Sequence, residues 1–130
     1  MFYGKQLISI RILSTRYSVE VIWKLRLSSE LKNWVQGLSK EGQAEAIIAF
    51  DRLKAQGNTL RMPHSRPLSG GLFELRFSCE NMATRVTCIY DVEKQIITLT
   101  HFVKQKNNEQ KEVIRARRAQ KLYRLEKEGE

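Results

Sequence analysis

LFELRFSCENMATRVTCIYDVEKQIITLTHFV, residues 72–103, decides the fold. Phe73, Leu75 and Phe77 alternate with Glu74 and Arg76, the period of two that marks a strand with unlike faces. ENMA turns the chain, TRVTCIYD forms the next strand, DVEKQ turns it again, and IITLTHFV forms another. Turns this short join only antiparallel neighbours, so the stretch predicts a meander. If Val86, Cys88 and Tyr90 point inward with Phe73, Leu75 and Phe77, then Arg85 and Thr87 share the outer face with Arg76. Ile89 conflicts mildly with that alternation.

Upstream, residues 58–71 hold both prolines, Pro63 and Pro67, and end at Gly70-Gly71, which reads as a loop. Before it, Lys40 to Gln56 reads as a helix opened by Ser39 and stopped by Gly57. Its inner face uses Ile47, Phe50 and Leu53, flanked by Ala46 and Ala49. Leu31, Trp34, Val35 and Leu38 form an earlier helical stripe, capped by Ser28 or Ser29 with Glu30 in the first turn. The short link at Leu38–Ser39 implies a helical hairpin. SVEVIWKLRL, from Ser18, alternates like a strand apart from Ile22.

Downstream, a basic helix opens at Asn107 or Asn108. Val113, Ala116, Ala119 and Tyr123 share one narrow stripe, and Arg115, Arg117, Arg118, Lys121 and Arg124 spread over the rest. The expected order is β-α-α-β-β-β-α, an α+β domain with an antiparallel sheet and helices packed on it. Residues 18–127 form this single domain, and residues 1–17 form an N-terminal extension of unassigned role. That extension is basic with a short apolar run broken by Arg11, and lacks a convincing cleavage site for a signal peptide.

The chain has 130 residues, 23 Lys and Arg against 14 Asp and Glu, and a formal charge of +9. A small basic domain meets an anion: nucleic acid, a membrane surface or an acidic protein. No run approaches the ~20 apolar residues needed to span a membrane. Cys79 and Cys88 are too few for a disulfide scaffold and lie in no zinc-binding pattern, so reduced, partly buried thiols in a cytoplasmic protein are expected. His64 and His101 are far apart in sequence, and no metal or other cofactor is expected. No nucleophilic triad, phosphate-cradling glycine loop or HExxH is present.

What the sequence offers instead is clustered cations. Arg61, His64 and Arg66 precede the first strand of the meander, Arg76 and Arg85 lie within it, and His101, Lys104 and Lys106 follow in HFVKQKNN. A meander can gather these into one basic surface. Such a surface suffices for RNA cleavage, because RNA carries its own nucleophile, the 2′-OH. Arginine stabilises charge developing on phosphate, and histidine, or a lysine beside other cations, transfers protons. The catalytic candidates are Arg76, His64, Lys104 and Lys106; the RNA-binding candidates are Arg61, Arg66, Arg85 and His101.

LRMPHSRPLSGGLFELRF, RVTCIYD and HFVKQKNNEQKEVIRARRAQ, taken in this order, closely resemble the RelE/HigB-like toxins of type II toxin–antitoxin systems, in their phage-derived branch. The resemblance runs from about Val19 to Leu125. It implies a RelE-like fold and metal-independent cleavage of mRNA in the ribosomal A site, leaving a 2′,3′-cyclic phosphate. It also implies a cognate antitoxin, of helix-turn-helix type in the related branch, that holds the toxin inactive. By position, Arg76 of L-F-E-L-R matches a phosphate-binding arginine, Lys104 and Lys106 match the basic motif after the last strand, and Arg61, His64 and Arg66 match the loop facing substrate. Active-site residues vary among such toxins, so no general base carries over. Tyr123, on the apolar stripe, reads as packing. Two other readings stand beside the nuclease: a ParE-like inhibitor of DNA gyrase that cuts nothing, and an inactive regulator that binds a partner.

Overall fold

The computed structural model describes residues 22–129. The elements run β1 (Lys24–Arg26), α1 (Ser29–Gln36), α2 (Lys40–Gln56), a 3-10 turn at Gly57–Thr59, β2 (Ser65–Pro67), β3 (Leu72–Cys79), β4 (Met82–Asp91), β5 (Gln95–Val103) and α3 (Glu109–Glu128). The α+β class and the meander are as the sequence predicts. The extension 1–17, and Ser18 to Val21 of the first expected strand, lie outside the described residues.

Two features of the sheet differ from expectation. Among the described residues it has five strands, in the order β1-β5-β4-β3-β2. The added strand, β2, pairs antiparallel with β3 inside the segment read as a loop. Its prolines hid it, yet a three-residue edge strand ending at Pro67 tolerates the missing N–H. The sheet is also not wholly antiparallel, since β1 joins β5 in parallel, Leu25 opposite Ile96. Most of the chain separates these two strands, so no tight turn dictates their direction. Thr98 fixes the join: its Oγ1 donates to the Arg26 carbonyl at 3.0 Å and accepts from the Ser28 amide at 3.1 Å.

Serines open the first two helices. Ser28 Oγ accepts from the Leu31 amide and Ser39 Oγ from the Gly42 amide, at 3.2 and 3.0 Å. Each satisfies a donor that a helix start leaves orphaned. Gly57 ends α2 at φ 53°, where an added Cβ would collide with the Trp23 indole. Asn108 precedes α3 but does not cap it with its side chain; that side chain instead bonds the Val103 carbonyl and the Gln105 amide.

Both faces of the sheet are covered. On one, α1 and α2 bury Leu31, Val35, Ala46, Ala49, Phe50 and Leu53 against Phe73, Leu75, Val86, Cys88 and Ile96. Fully buried Leu31, Phe50 and Leu53 each contribute about 1.5–3 kcal/mol of transfer free energy. Ile47, expected on this face, is only half-buried; Ala46 takes the inward position. On the other face, α3 brings Ala116, Ala119 and Tyr123 down onto Leu72, Ile89, Ile97 and Leu99. This second core resolves the conflict at Ile89, which points to α3 rather than to the helical hairpin. Cys79 and Cys88 are free and fully buried, more so than expected. Burial pushes the Cys79 thiol up to about 11, with Glu45 and Glu80 adding to it. Among the described residues no helix is long and apolar enough to cross a membrane.

A candidate nucleic-acid interface on the sheet

The face under α3 is apolar at one end and charged at the other. Strand register builds the charged end. Arg66 of β2 lies opposite Glu74 of β3, and Arg76 of β3 lies opposite Arg85 of β4. Alternation puts Glu74 and Arg76 on the same side of β3. Two arginines directly opposed across strands repel, so the array needs a counter-charge. Glu74 supplies it. Its side chain is 0% exposed, and its Oε1 lies 3.6 Å from Arg76 Nε, 3.8 Å from Arg85 Nε and 3.9 Å from Arg66 Nη1.

These are ion pairs without hydrogen bonds. Both Glu74 oxygens, Arg76 Nε and Arg85 Nε are buried and lack a hydrogen-bond partner among the described residues. Buried polar groups are rarely left so, and each one costs about 1–3 kcal/mol. Burial pushes the Glu74 carboxyl above its ordinary value of 4.5, with help from Glu109, against the pull of Arg85, Arg76 and Arg66. Burial likewise lowers Arg85, assisted by Arg76. Three guanidiniums are thus held around one carboxylate that hydrogen-bonds none of them, and Arg76 Nε and Arg85 Nε stay unpartnered.

The rim of the cluster comes from the start of α3. Glu109 accepts from Arg66 Nη1 at 3.0 Å and pairs with Lys104 Nζ at 3.5 Å. Lys104 and Arg66 are 40% and 47% exposed, so both reach solvent. His64 closes the opposite side. Its carbonyl accepts from the Arg76 amide at 2.8 Å, and its Nδ1 lies 2.9 Å from Arg52 Nη1. A guanidinium can only donate, so Nδ1 accepts and the hydrogen sits on Nε2. A cavity of about 330 Å³ opens here, lined by Pro63, His64, Arg76, Phe77, Ser78, Ala83 and Arg85. A larger cavity, about 580 Å³ between the β1–α1 segment and the second half of α3, contains none of these residues. Charge and unsatisfied donors, not volume, mark the site.

Of the eight residues singled out from the sequence, Arg66, Arg76, Arg85, Lys104 and His64 come together. Three do not. Arg61 is exposed and spends Nη1 on the Asn58 carbonyl at 2.7 Å. Lys106 is exposed in the turn before α3. His101 lies opposite Val86, on the hairpin face, where it stacks on Trp34 at 4.8 Å and meets Glu30 at 2.9 Å. Arg115 reaches the same Glu30 at 2.6 and 3.0 Å and also bonds the His101 carbonyl, fastening α3 to α1 and β5. Sequence reading missed the working parts of the site that are not on its list: Glu74, Glu109 and Arg52. For Glu74 the signal was present, since it shares a face with Arg76. Arg52 and Glu109 carry no local signal, because only the packing of α2 and α3 brings them to the sheet. Among the described residues no group of three or more His, Cys, Asp or Glu side chains could hold a metal ion.

No curated protein matches the chain. Among solved structures it is similar to a chain of the toxin–antitoxin complex RelBE2 from Mycobacterium tuberculosis, at 18% identity and a TM-score of 0.48, over 65% of this chain and 100% of that one. The phage-derived Gp49-like family (DUF891) matches residues 33–124. That span holds β2 to β5 and most of α3, hence every residue of the charged cluster. The chain belongs to the phage-derived Gp49-like family (DUF891).

Proposed function

We propose that this toxin is a metal-independent, ribosome-dependent endoribonuclease that cuts translated mRNA, and that a cognate antitoxin, of helix-turn-helix type, silences it by covering the cationic face. The observation that carries the reading is the array of Arg66, Arg76 and Arg85 gathered around buried Glu74, which pairs with all three and hydrogen-bonds none of them.

The chemistry follows from RNA's own nucleophile. The 2′-oxygen attacks the adjacent phosphorus and loses its proton, the bond from phosphorus to the 5′-oxygen breaks, and that oxygen takes up a proton. The products are a 2′,3′-cyclic phosphate and a 5′-hydroxyl. Negative charge grows on the phosphoryl oxygens along the way. Arg76 and Arg85, poorly solvated and adjacent on central strands, would meet that charge at low dielectric, where fixed donors act most strongly. Glu74 is a positioning residue: it keeps the guanidiniums together without consuming their hydrogen bonds. Arg66 and Lys104, on the exposed rim, suit neighbouring phosphates. His64, which lines the cleft with its hydrogen on Nε2, fits donating a hydrogen bond to the phosphate better than taking the 2′-proton.

Primer extension on cellular mRNAs, after brief induction of wild type or Arg76→Ala, tests the reading. New 5′ ends inside translated frames, seen with wild type alone, are expected. Growth arrest with intact mRNA would overturn it in favour of gyrase inhibition.

A further inference from the structure

The cleft does not stop at the sheet. A second cavity, of about 280 Å³, shares His64, Arg76, Phe77 and Ser78 with the first and continues to Ile48 and Arg52 of α2. β2 pairs only with Phe73 to Leu75, so the edge of β3 beyond it is uncovered and the two cavities adjoin there. We infer that Arg52, His64 and Ile48 form a subsite for the base of a nucleotide next to the cleaved phosphate. The inference rests on the endoribonuclease reading and extends its substrate contacts onto α2.

Three observations carry it. Arg52 and His64 lock each other: the 2.9 Å bond orients the imidazole, and the His64 backbone is itself bonded to the Arg76 amide. Two planar cationic or aromatic groups fixed beside a phosphate-binding arginine form a stacking platform for an unpaired base. Ile48 and Arg52 stand four residues apart on α2 and therefore share a helix face. Ile48 is 59% exposed, and Met62, whose Sδ accepts from Arg76 Nη1 at 3.2 Å, is 57% exposed. Exposed apolar side chains thus border the arginines, Met62 touching Arg76 and Ile48 lining the cavity that Arg52 and Arg76 share. Isoleucine and methionine gain nothing from phosphate; a base would cover them. Glu45 lines the far wall and, with one oxygen bound to the Glu80 amide, offers an acceptor to a base edge.

The test uses the full chain, ¹⁵N-labelled, and a 2′-O-methyl ribotrinucleotide, which binds but cannot be cut because its 2′-oxygen is blocked. Amide shifts and dissociation constants are measured at low salt for wild type, Arg76→Gln, Arg52→Gln and the exposed Ile48→Ser. Shifts reaching Ile48, Arg52 and His64, about tenfold weaker binding for Arg52→Gln, and loss of the Arg52 shift with an abasic trinucleotide are expected. Ile48→Ser, which disturbs no core contact, should weaken binding about threefold. Binding abolished by Arg76→Gln but untouched by Arg52→Gln and Ile48→Ser overturns the subsite and leaves the nuclease reading standing. The strip on α2 would then fall to a protein partner. No binding by wild type, together with growth arrest and intact mRNA, removes the nuclease reading and the subsite with it.

Discussion

Two glutamates meet arginines in this molecule, and they meet them differently. Glu30, at the start of α1, is fully engaged: both oxygens bond Arg115, and one also receives the His101 amide and ring. Burial alone would raise its carboxyl, but the hydrogen bonds of Arg115 and the His101 amide outweigh it and hold the group below its ordinary 4.5. Glu74 is more deeply buried, has three arginines within 4.0 Å and has no hydrogen bond among the described residues, and its carboxyl lies above 4.5. The first arrangement satisfies every partner and joins α3 to the rest of the fold. The second leaves donors waiting. Complete satisfaction marks a clamp, and incomplete satisfaction in a buried cluster is the exception that the proposed RNA contact accounts for.

The largest expected effect breaks the contrast on the side of function. Arg76→Ala should lower mRNA cleavage by about 100–1,000-fold, the cost of removing one preorganised donor to a developing anion. Its melting temperature should match that of wild type, because the alanine also relieves the repulsion with Arg85. A melting temperature that falls with activity would place Arg76 among the clamps. Next comes the opposite variant. Arg115→Ala should cost about 1–2 kcal/mol, near the low end for charged hydrogen bonds because the pair is partly exposed. Thermal unfolding reads that loss, while cleavage per folded molecule stays constant.

Glu74→Gln sharpens the comparison further. Removing the counter-charge adds one net positive charge to the array, so the slope of log affinity for RNA against log salt should steepen by about 1. Affinity should rise while turnover falls, since the guanidiniums lose the group that positions them. Anisotropy titrations at several salt concentrations, set beside cleavage rates, separate the two effects. Equal loss of both would make Glu74 a plain structural acid.

The smallest effect is in the pH dependence of stability, where the two acids have opposite signs. Glu30 releases its proton more readily folded than unfolded, so its contribution is present above about 4.5 and is lost as pH falls through its lower folded value. Glu74 holds its proton more tightly when folded. Its contribution is therefore present below about 4.5 and is lost as pH rises through its higher folded value. Urea titrations of Glu30→Gln should flatten the acid limb only, and those of Glu74→Gln the slope above 4.5 only. A change in the same limb for both variants would erase the distinction drawn here.

Much of this was legible in the sequence because it is written locally. The meander, the limits of α2 at Lys40 and Gln56, a cap at Ser28 or Ser29 and the shared face of Arg76 and Arg85 follow from periods of 2 and 3.6 and from serine and glycine positions. What escaped was set by distant pairings. β2 is hidden by Pro63 and Pro67, and its strand character comes only from hydrogen bonds to β3. The parallel join of β1 to β5 depends on Thr98, some seventy residues away. His101 looked like a site residue because it stands with Lys104 and Lys106 in HFVKQKNN, but the register turns it toward Trp34. No periodicity in α2 or α3 announces that Arg52 and Glu109 will flank the cluster.

Arg85 lies on β4, paired on both sides, to Arg76 on β3 and to Phe102 on β5. Reactive centres are often carried on loops that open many times for each global unfolding event. Here the central backbone of the site belongs to the innermost strands. Its amide protons should be among the slowest in the protein to exchange with deuterium, and a protease should reach them only after the whole domain has come apart. Fluctuation cannot silence such a centre. On the proposed reading an inhibitor would silence it by lying across it, and would leave the centre intact on release.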